Sequence, residues 1–332
     1  MNKLLKILSV AAIVTVMIVA VGSVVVKNDK WVAEDDVTQT EEQTVSQNVA
    51  AEATTFEAKT TERQTETTTE TPSDRGTYTG LFPLQPISFT ATDPENSRRL
   101  STDRIDHSFG VAKNSQPNSI SVSSQKFFET HGYKAVTYDN KSEEKVLYLT
   151  FDCGYENGNT EIILDTLKEK NVPAAFFCTL YHIETEPELI ARMINDGHIV
   201  GNHSDNHPDF SSISRERMAK EIETVENCLR TKFGYTSSYF RFPEGAYSEC
   251  ALELVGSLGY TSVFWSCAYA DWDTGNTKGA DYARQTVVSR LHPGAVILLH
   301  SVSPDNAQAM GDIIDDARAL GYEFRSLDQM TH

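Results

Sequence analysis

Metal chemistry needs side chains that offer lone pairs from one direction, and His203-Ser-Asp-Asn-His207-Pro supplies two at a spacing of i and i+4. On a helical turn the two rings would share one face, an arrangement that zinc sites use. Taken alone, such a pair is more often two ordinary loop histidines. A second group adds weight. The run Val146-Leu-Tyr-Leu-Thr-Phe is apolar and β-branched, then ends in Asp152, Cys153 and Gly154. A carboxyl and a thiol both cost free energy to desolvate, so they are poor choices for packing alone. The plain reading is a strand-to-helix turn with an Asp cap and a Gly for positive φ. Similar apolar runs end in Arg241 and Glu244, in Asp271 and Trp272, and in His300. Arg241 is either a surface ion-pairing residue or the cation that keeps a neighbouring carboxylate ionised. His300, after four apolar residues, is a satisfied core histidine or a poised acid, and Trp272 is core or the wall of a sugar site. A base, an acid and a Lewis-acid ligand pair together describe metal-assisted hydrolysis.

These residues need elements that bring them to one place. Strand-like runs recur at 146–153, 174–179, 198–204, 239–243, 261–267, 295–300 and 323–327. Helical patterns alternate with them at 161–170, 188–196, 215–233, 249–258, 281–291 and 307–320. Near-continuous apolar strands separated by helices predict a parallel sheet covered by helices. No glycine-rich dinucleotide fingerprint follows the first strand, which favours a barrel over a doubly wound sheet. The expected fold is therefore α/β, a distorted or incomplete (β/α) barrel of about seven parallel strands. In such a barrel the C-terminal strand ends share one mouth, and each candidate above lies at one.

The remaining chain divides by composition. Lys3 and Lys6 precede an uncharged apolar run from Ile7 to Val26, about the 20 residues needed to cross a bilayer. Residues 1–28 are thus expected to form a signal anchor with the remainder outside the cell, its length favouring an anchor over a cleaved signal peptide. Residues 29–80 are rich in Thr and Glu with almost no large apolar side chains, the composition of a disordered linker. Residues 81–144 read as an irregular lead-in, and 145–332 as the catalytic domain. The net charge of −18 argues against a nucleic-acid partner. Eleven acids against three basic residues between Ala33 and Gly76 give −8 of it, so the acidity says little about the site. Five cysteines without C-x-x-C spacing do not suggest a disulfide framework, and Cys178 and Cys267 read as buried thiols.

The motifs Thr-Phe-Asp152-Cys-Gly, His203-Ser-x-x-His207-Pro, Arg241-x-Pro, Asp271-Trp272 and Leu298-Leu-His300 resemble, in order, the five motifs of polysaccharide deacetylases (NodB-like, carbohydrate esterase family four). Gly154-Tyr155-Glu-Asn-Gly, with Val263-Phe-Trp-Ser-Cys-Ala and His107-Ser-Phe-Gly, is similar to the branch that deacetylates muramic acid and initiates muramic-δ-lactam in the spore cortex. The resemblance implies that His203 and His207 hold a divalent metal, zinc first. It makes Asp152 the base, Arg241 its orienting cation, His300 the acid and Asp271 the partner of that acid. Trp272, Leu298, Tyr155 and the backbone at Glu244 would meet substrate. Cys153 stands where the family usually has a third, carboxylate metal ligand, so its part in metal binding is left open. The implied partners are peptidoglycan glycan strands and, through the N-terminal segment, the membrane, with no protein partner. Alternatives are an N-acetylglucosamine or exopolysaccharide deacetylase, an acetyl-xylan esterase, or a glycan-binding module without turnover.

Overall fold

The computed structural model describes residues 82–330; the apolar run Ile7–Val26 and the polar stretch 29–80 after it lie outside them. Among the described residues no helix is long and apolar enough to cross a membrane.

In chain order the elements are β1 (Ile105–Asp106), α1 (Ser119–His131), β2 (Ala135–Val136), β3 (Val146–Cys153), α2 (Thr160–Lys170), β4 (Ala174–Cys178), α3 (Leu180–Thr185), α4 (Pro187–Asn195) and β5 (Ile199–Asn202). They continue with α5 (Arg215–Phe233), β6 (Tyr239–Phe240), β7 (Ala246–Tyr247), α6 (Glu249–Ser257), β8 (Thr261–Val263), α7 (Ala280–Ser289), β9 (Ala295–His300), α8 (Pro304–Ala319) and β10 (Glu323–Phe324). The main sheet runs β10-β3-β4-β5-β6-β8-β2, with β9 also paired to β3, and every pairing in it is parallel. It curls. Beyond β8 the backbone N–H groups of Ser266 and Cys267 donate to Val296 O at 3.0 and 3.1 Å, and Leu298 N–H donates to Cys267 O at 2.9 Å. The sheet is thus a barrel in the making, sealed beside β9 by a short segment in place of a full strand.

β3 organises the two layers. All eight of its residues are buried, and its period of two divides them. Leu147, Leu149, Phe151 and Cys153 join the core between sheet and helices. Val146 and Tyr148 join the core inside the curl with Phe177, Val296 and Leu298. Asp152 belongs to this inner set by parity. Burying one large apolar side chain such as Phe151 stabilises the fold by roughly 1.5–3 kcal/mol, and both layers are built from many of them.

The covering helices start and stop where their chemistry dictates. For α5, Ser214 caps the N-terminus by accepting from Arg217 N–H, and Gly234 ends it at φ 63°, a left-handed conformation that costs glycine little. Its buried face carries Met218, Ile222, Val225 and Leu229 at helical spacing.

The expectation of an irregular lead-in is corrected. Residues 119–131 form α1, and β2 adds to the far edge of the sheet against β8. The apolar spacing of α1 is weak because its buried face uses Ser121 and Gln125 beside Phe128. Gln125 Oε1 accepts from Thr137 N–H at 2.8 Å, a polar anchor that hydrophobic periodicity does not register. Upstream, residues 84–92 lie along α5. Leu84 N–H donates to Arg230 O at 2.8 Å, Asn227 brackets Ile87 with two bonds, and Phe89 N–H donates to Glu223. Arg215 Nε closes the series on Thr92 O at 2.9 Å.

Candidate active site

A cleft of about 620 Å³ opens at the C-terminal ends of the strands. It is lined by Asp152, Tyr155, His203, His207, Glu244, Trp272, Leu298 and His300, among others. Eight residues proposed from sequence therefore meet in one place, while Arg241 and Asp271 stand directly behind it.

Asp152 ends β3, and its register partner across to β9 is His300. One carboxylate oxygen, Oδ1, accepts from Arg241 Nη1 at 2.7 Å. The guanidinium is wholly buried and uses its other donors on Thr150 Oγ1 at 2.8 Å and Val263 O at 2.9 Å. It also lies 4.1 Å above the Phe177 ring. Burial alone would push the Asp152 carboxyl up, and that is the largest effect on it. The charges of Arg241, then His203 and His300, outweigh burial and hold it below its ordinary value. Oδ2 is left facing His203 Nε2 at 3.6 Å.

The two histidines do come together, but not on a helix as their spacing suggested. The segment is a loop in which Ser204 and His207 take φ 69° and 54°. Asn202 Oδ1 accepts from Ser204 N–H, and Ser204 Oγ accepts from His207 N–H, which fixes the turn. The rings sit 4.9 Å apart at 81°. His203 Nδ1 donates to Arg241 O at 2.9 Å, so Nε2 presents its lone pair to the cleft. Burial pushes His203 down to about 4 and lowers His207 as well, which keeps both rings in the neutral, ligating form. An imidazole oriented by a carbonyl behind it, with a carboxylate oxygen across a short gap, fits a divalent ion.

On the other wall, His300 Nδ1 donates to Asp271 Oδ1 at 2.7 Å, which leaves Nε2 for the cleft. Burial lowers the His300 pKa and is the largest effect, but Asp271 more than offsets it and the net shift is upward. Asp271 Oδ2 accepts from His300 N–H at 2.8 Å and from Asn306 Nδ2 at 2.6 Å. Tyr269 O–H in turn donates to Asn306 Oδ1 at 2.6 Å. Trp272, half exposed, stands beside His300 with ring centroids 5.8 Å apart.

Cys153 does not join this set. It is fully buried, is absent from the cleft lining and belongs by parity to the outer core. A residue directly after an inward-facing strand residue points to the other face, so Cys153 is turned away from the His203–His207 pair. Its thiol lies instead with Cys178 and His182. All five cysteines are free thiols.

Several contributors escaped the sequence reading. Thr150, two residues before Asp152 on the same face, was available from strand parity alone. Asn306 carried a weaker signal, being a polar residue in the first turn of the helix after His300. Arg104 bridges Asp106, Asp209 and Glu244 at the rim, with 2.7, 2.7 and 3.1 Å contacts. It joins residues 140 apart, which no local pattern reveals. Phe109 packs against Trp272 at 6.3 Å and completes one wall. Glu244 takes φ 58°, and Gly245 follows at φ 69°, where a Cβ would meet the Trp265 ring at 2.6 Å and His107 O at 2.9 Å. Only glycine lets the main chain border the cleft there.

A profile described as polysaccharide deacetylase matches residues 139–263. The chain is 43% identical over 194 residues to the peptidoglycan-N-acetylmuramic acid deacetylase PdaA of Bacillus subtilis, covering 58% of this chain and 74% of that protein. It is 40% identical over 235 residues to an uncharacterised protein of Geobacillus stearothermophilus, covering 70% and 88%. A peptidoglycan-N-acetylglucosamine deacetylase of Bacillus cereus is 33% identical over 197 residues, covering 58% and 69%. The solved structure of Bacillus subtilis PdaA, described as a family 4 carbohydrate esterase, aligns with a TM-score of 0.66 at 39% identity, covering 70% of this chain and 98% of that one. Motifs, geometry and these likenesses agree, and the chain belongs to the polysaccharide deacetylase family.

Proposed function

We propose that the protein hydrolyses the acetamide of N-acetylmuramic acid in peptidoglycan, releasing acetate and leaving a free amine on the glycan. The observation that carries the chemistry is the pairing of Asp152 with His300 across β3 and β9, each held from behind by an opposite charge. His203 and His207 would hold a divalent ion, zinc first, which when bound polarises the acetamide carbonyl and the attacking water. Asp152 Oδ2 takes a proton from that water as its oxygen bonds to the carbonyl carbon. Arg241 keeps the carboxylate ionised and aimed. The main chain at Glu244 and Gly245 borders the place where the carbonyl oxygen gains charge. His300 Nε2 then gives its proton to the amine as the carbon–nitrogen bond breaks, and Asp271 steadies the imidazolium. Trp272, Phe109 and Tyr155 offer aromatic faces for sugar rings, with Leu298 beneath them.

The muramic acid assignment is supported by the Gly154-Tyr-Glu-Asn-Gly signature and by the likeness to the Bacillus subtilis enzyme. The run Ile7–Val26 supports attachment of the exported domain to the membrane, within reach of wall glycan. The test is acetate release from peptidoglycan with and without stem peptides, with and without chelator, followed by mass spectrometry of the digested glycan. Deacetylated muramic acid from stem-free strands, lost on chelation, is the expected result. Loss of acetyl groups from glucosamine units alone, or turnover that chelators leave untouched, would overturn it.

A further inference from the structure

Directly behind Asp152, on the opposite face of β3, three potential metal ligands converge. Cys153 Sγ, Cys178 Sγ and a ring nitrogen of His182 lie within 4.8 Å of one another, and all three residues are buried. The fold makes this grouping: Cys153 and Cys178 are register partners on β3 and β4, and both face the outer core. His182 follows Cys178 by four residues, brought back by the first turn of α3, where Thr179 caps the helix by accepting from His182 N–H.

His182 has no accessible surface, and neither of its ring nitrogens has a hydrogen-bond partner. Buried polar groups are ordinarily paired, so a fully orphaned imidazole asks for an occupant. Glu156, three residues after Cys153, carries another orphaned polar atom. Its Oε1 is engaged by the N–H groups of Gly158 and Thr160, yet its Oε2 is buried without a partner. Its charge also acts on His182. A water could satisfy one imidazole nitrogen, but two facing thiols offer it only weak partners.

We infer that Cys153, Cys178 and His182 form a second metal site, distinct from the His203–His207 pair, that takes a zinc ion. Two sulfurs and an imidazole are a donor set that selects zinc over hard ions such as magnesium or calcium. Tetrahedral zinc with Zn–S near 2.3 Å and Zn–N near 2.0–2.1 Å sets ligand atoms roughly 3.6–3.8 Å apart, so a cluster already within 4.8 Å needs to contract by at most about an ångström. Binding replaces two thiol protons, which leave to solvent, with bonds to one dication. None of the three residues lines the cleft, so the ion would be structural, tying β3, β4 and α3 together beneath the base.

The test uses the full chain carrying His203→Ala and His207→Ala, dialysed against zinc, with metal content measured. Retention of one tightly held zinc per chain, lost when Cys178→Ser is added, is expected. In the unaltered chain, cobalt substitution should give a thiolate-to-cobalt charge-transfer band, a readout that needs no altered cysteine to fold. No zinc in the double-histidine chain, zinc that survives Cys178→Ser, no charge-transfer band, or a Cys153–Cys178 disulfide in the purified protein would each overturn the inference.

Discussion

The two walls of the cleft solve opposite electrostatic problems with the same device. On the Asp152 wall a carboxylate must stay charged while buried, and a wholly enclosed guanidinium 2.7 Å away does this. On the His300 wall an imidazole must keep its proton, and the carboxylate of Asp271, also 2.7 Å away, does that. The first wall is held by enclosure, since Arg241, besides Asp152, meets main-chain carbonyls, the Thr150 hydroxyl and the Phe177 face. The second is open on one side to Trp272 and depends on a short chain of hydrogen bonds through Asn306 and Tyr269. A charge can be tuned either by burying its partner or by tethering it, and this site uses one method on each side.

The comparison breaks most directly by removing the groups that exchange protons. Asp152→Asn and His300→Ala should each lower turnover by roughly 10²–10⁴-fold with the circular dichroism spectrum unchanged. Near-full acetate release by either variant would dissolve the base and acid assignment. Removing the cation of the enclosed wall should be felt as instability. Arg241→Met leaves Asp152 buried without a counter-ion, a loss of roughly 3–5 kcal/mol in chemical denaturation. A midpoint close to that of the unaltered chain would show that the carboxylate finds solvent.

The tethered wall should yield less. Asn306→Ala removes one charge-assisted hydrogen bond to Asp271, worth roughly 1.5–3 kcal/mol. It should lower kcat more than it raises KM, with Asn306→Asp failing to rescue because it sets a second carboxylate against the first. A change in KM alone would make Asn306 a substrate contact. The smallest effect is a pH displacement. The folded His300 pKa is raised, so the ion pair's stabilisation is complete below the unfolded value near ~6.5 and is lost as pH rises through the folded value. The alkaline limb of the rate profile should therefore move to lower pH in Asp271→Asn, with the acid limb in place. An unmoved alkaline limb would assign it to some other group.

The sequence exposed the inner face of the barrel more readily than its outer layer. Strands such as 295–300 and the helix 215–233 were legible to the residue, because apolar runs and helical spacing are local signals. Asp152, Arg241 and His300 were legible because charged groups at the ends of apolar runs are costly unless used. The His203 loop was misread, since i and i+4 spacing is a helical signature and only Ser204 and Asn202 side chains reveal the turn. The part of Cys153 stayed open because a motif is read along the chain while a strand alternates across it. α1 and the strip along α5 were missed because they are held by polar side chains and backbone bonds to distant residues.

That strip has a mechanical meaning. Leu84, Ile87, Phe89 and Thr92 meet Arg230, Asn227, Glu223 and Arg215 in order, so the strip runs opposite to α5 from its last turn to its first. A pull from the residues before Phe82 loads these attachments one at a time, starting with Leu84. Bonds loaded in series like a zip yield at low force, whereas the parallel strands of the barrel would have to yield together. A tug on the N-terminal side therefore unpeels this strip first, while the cleft keeps its shape.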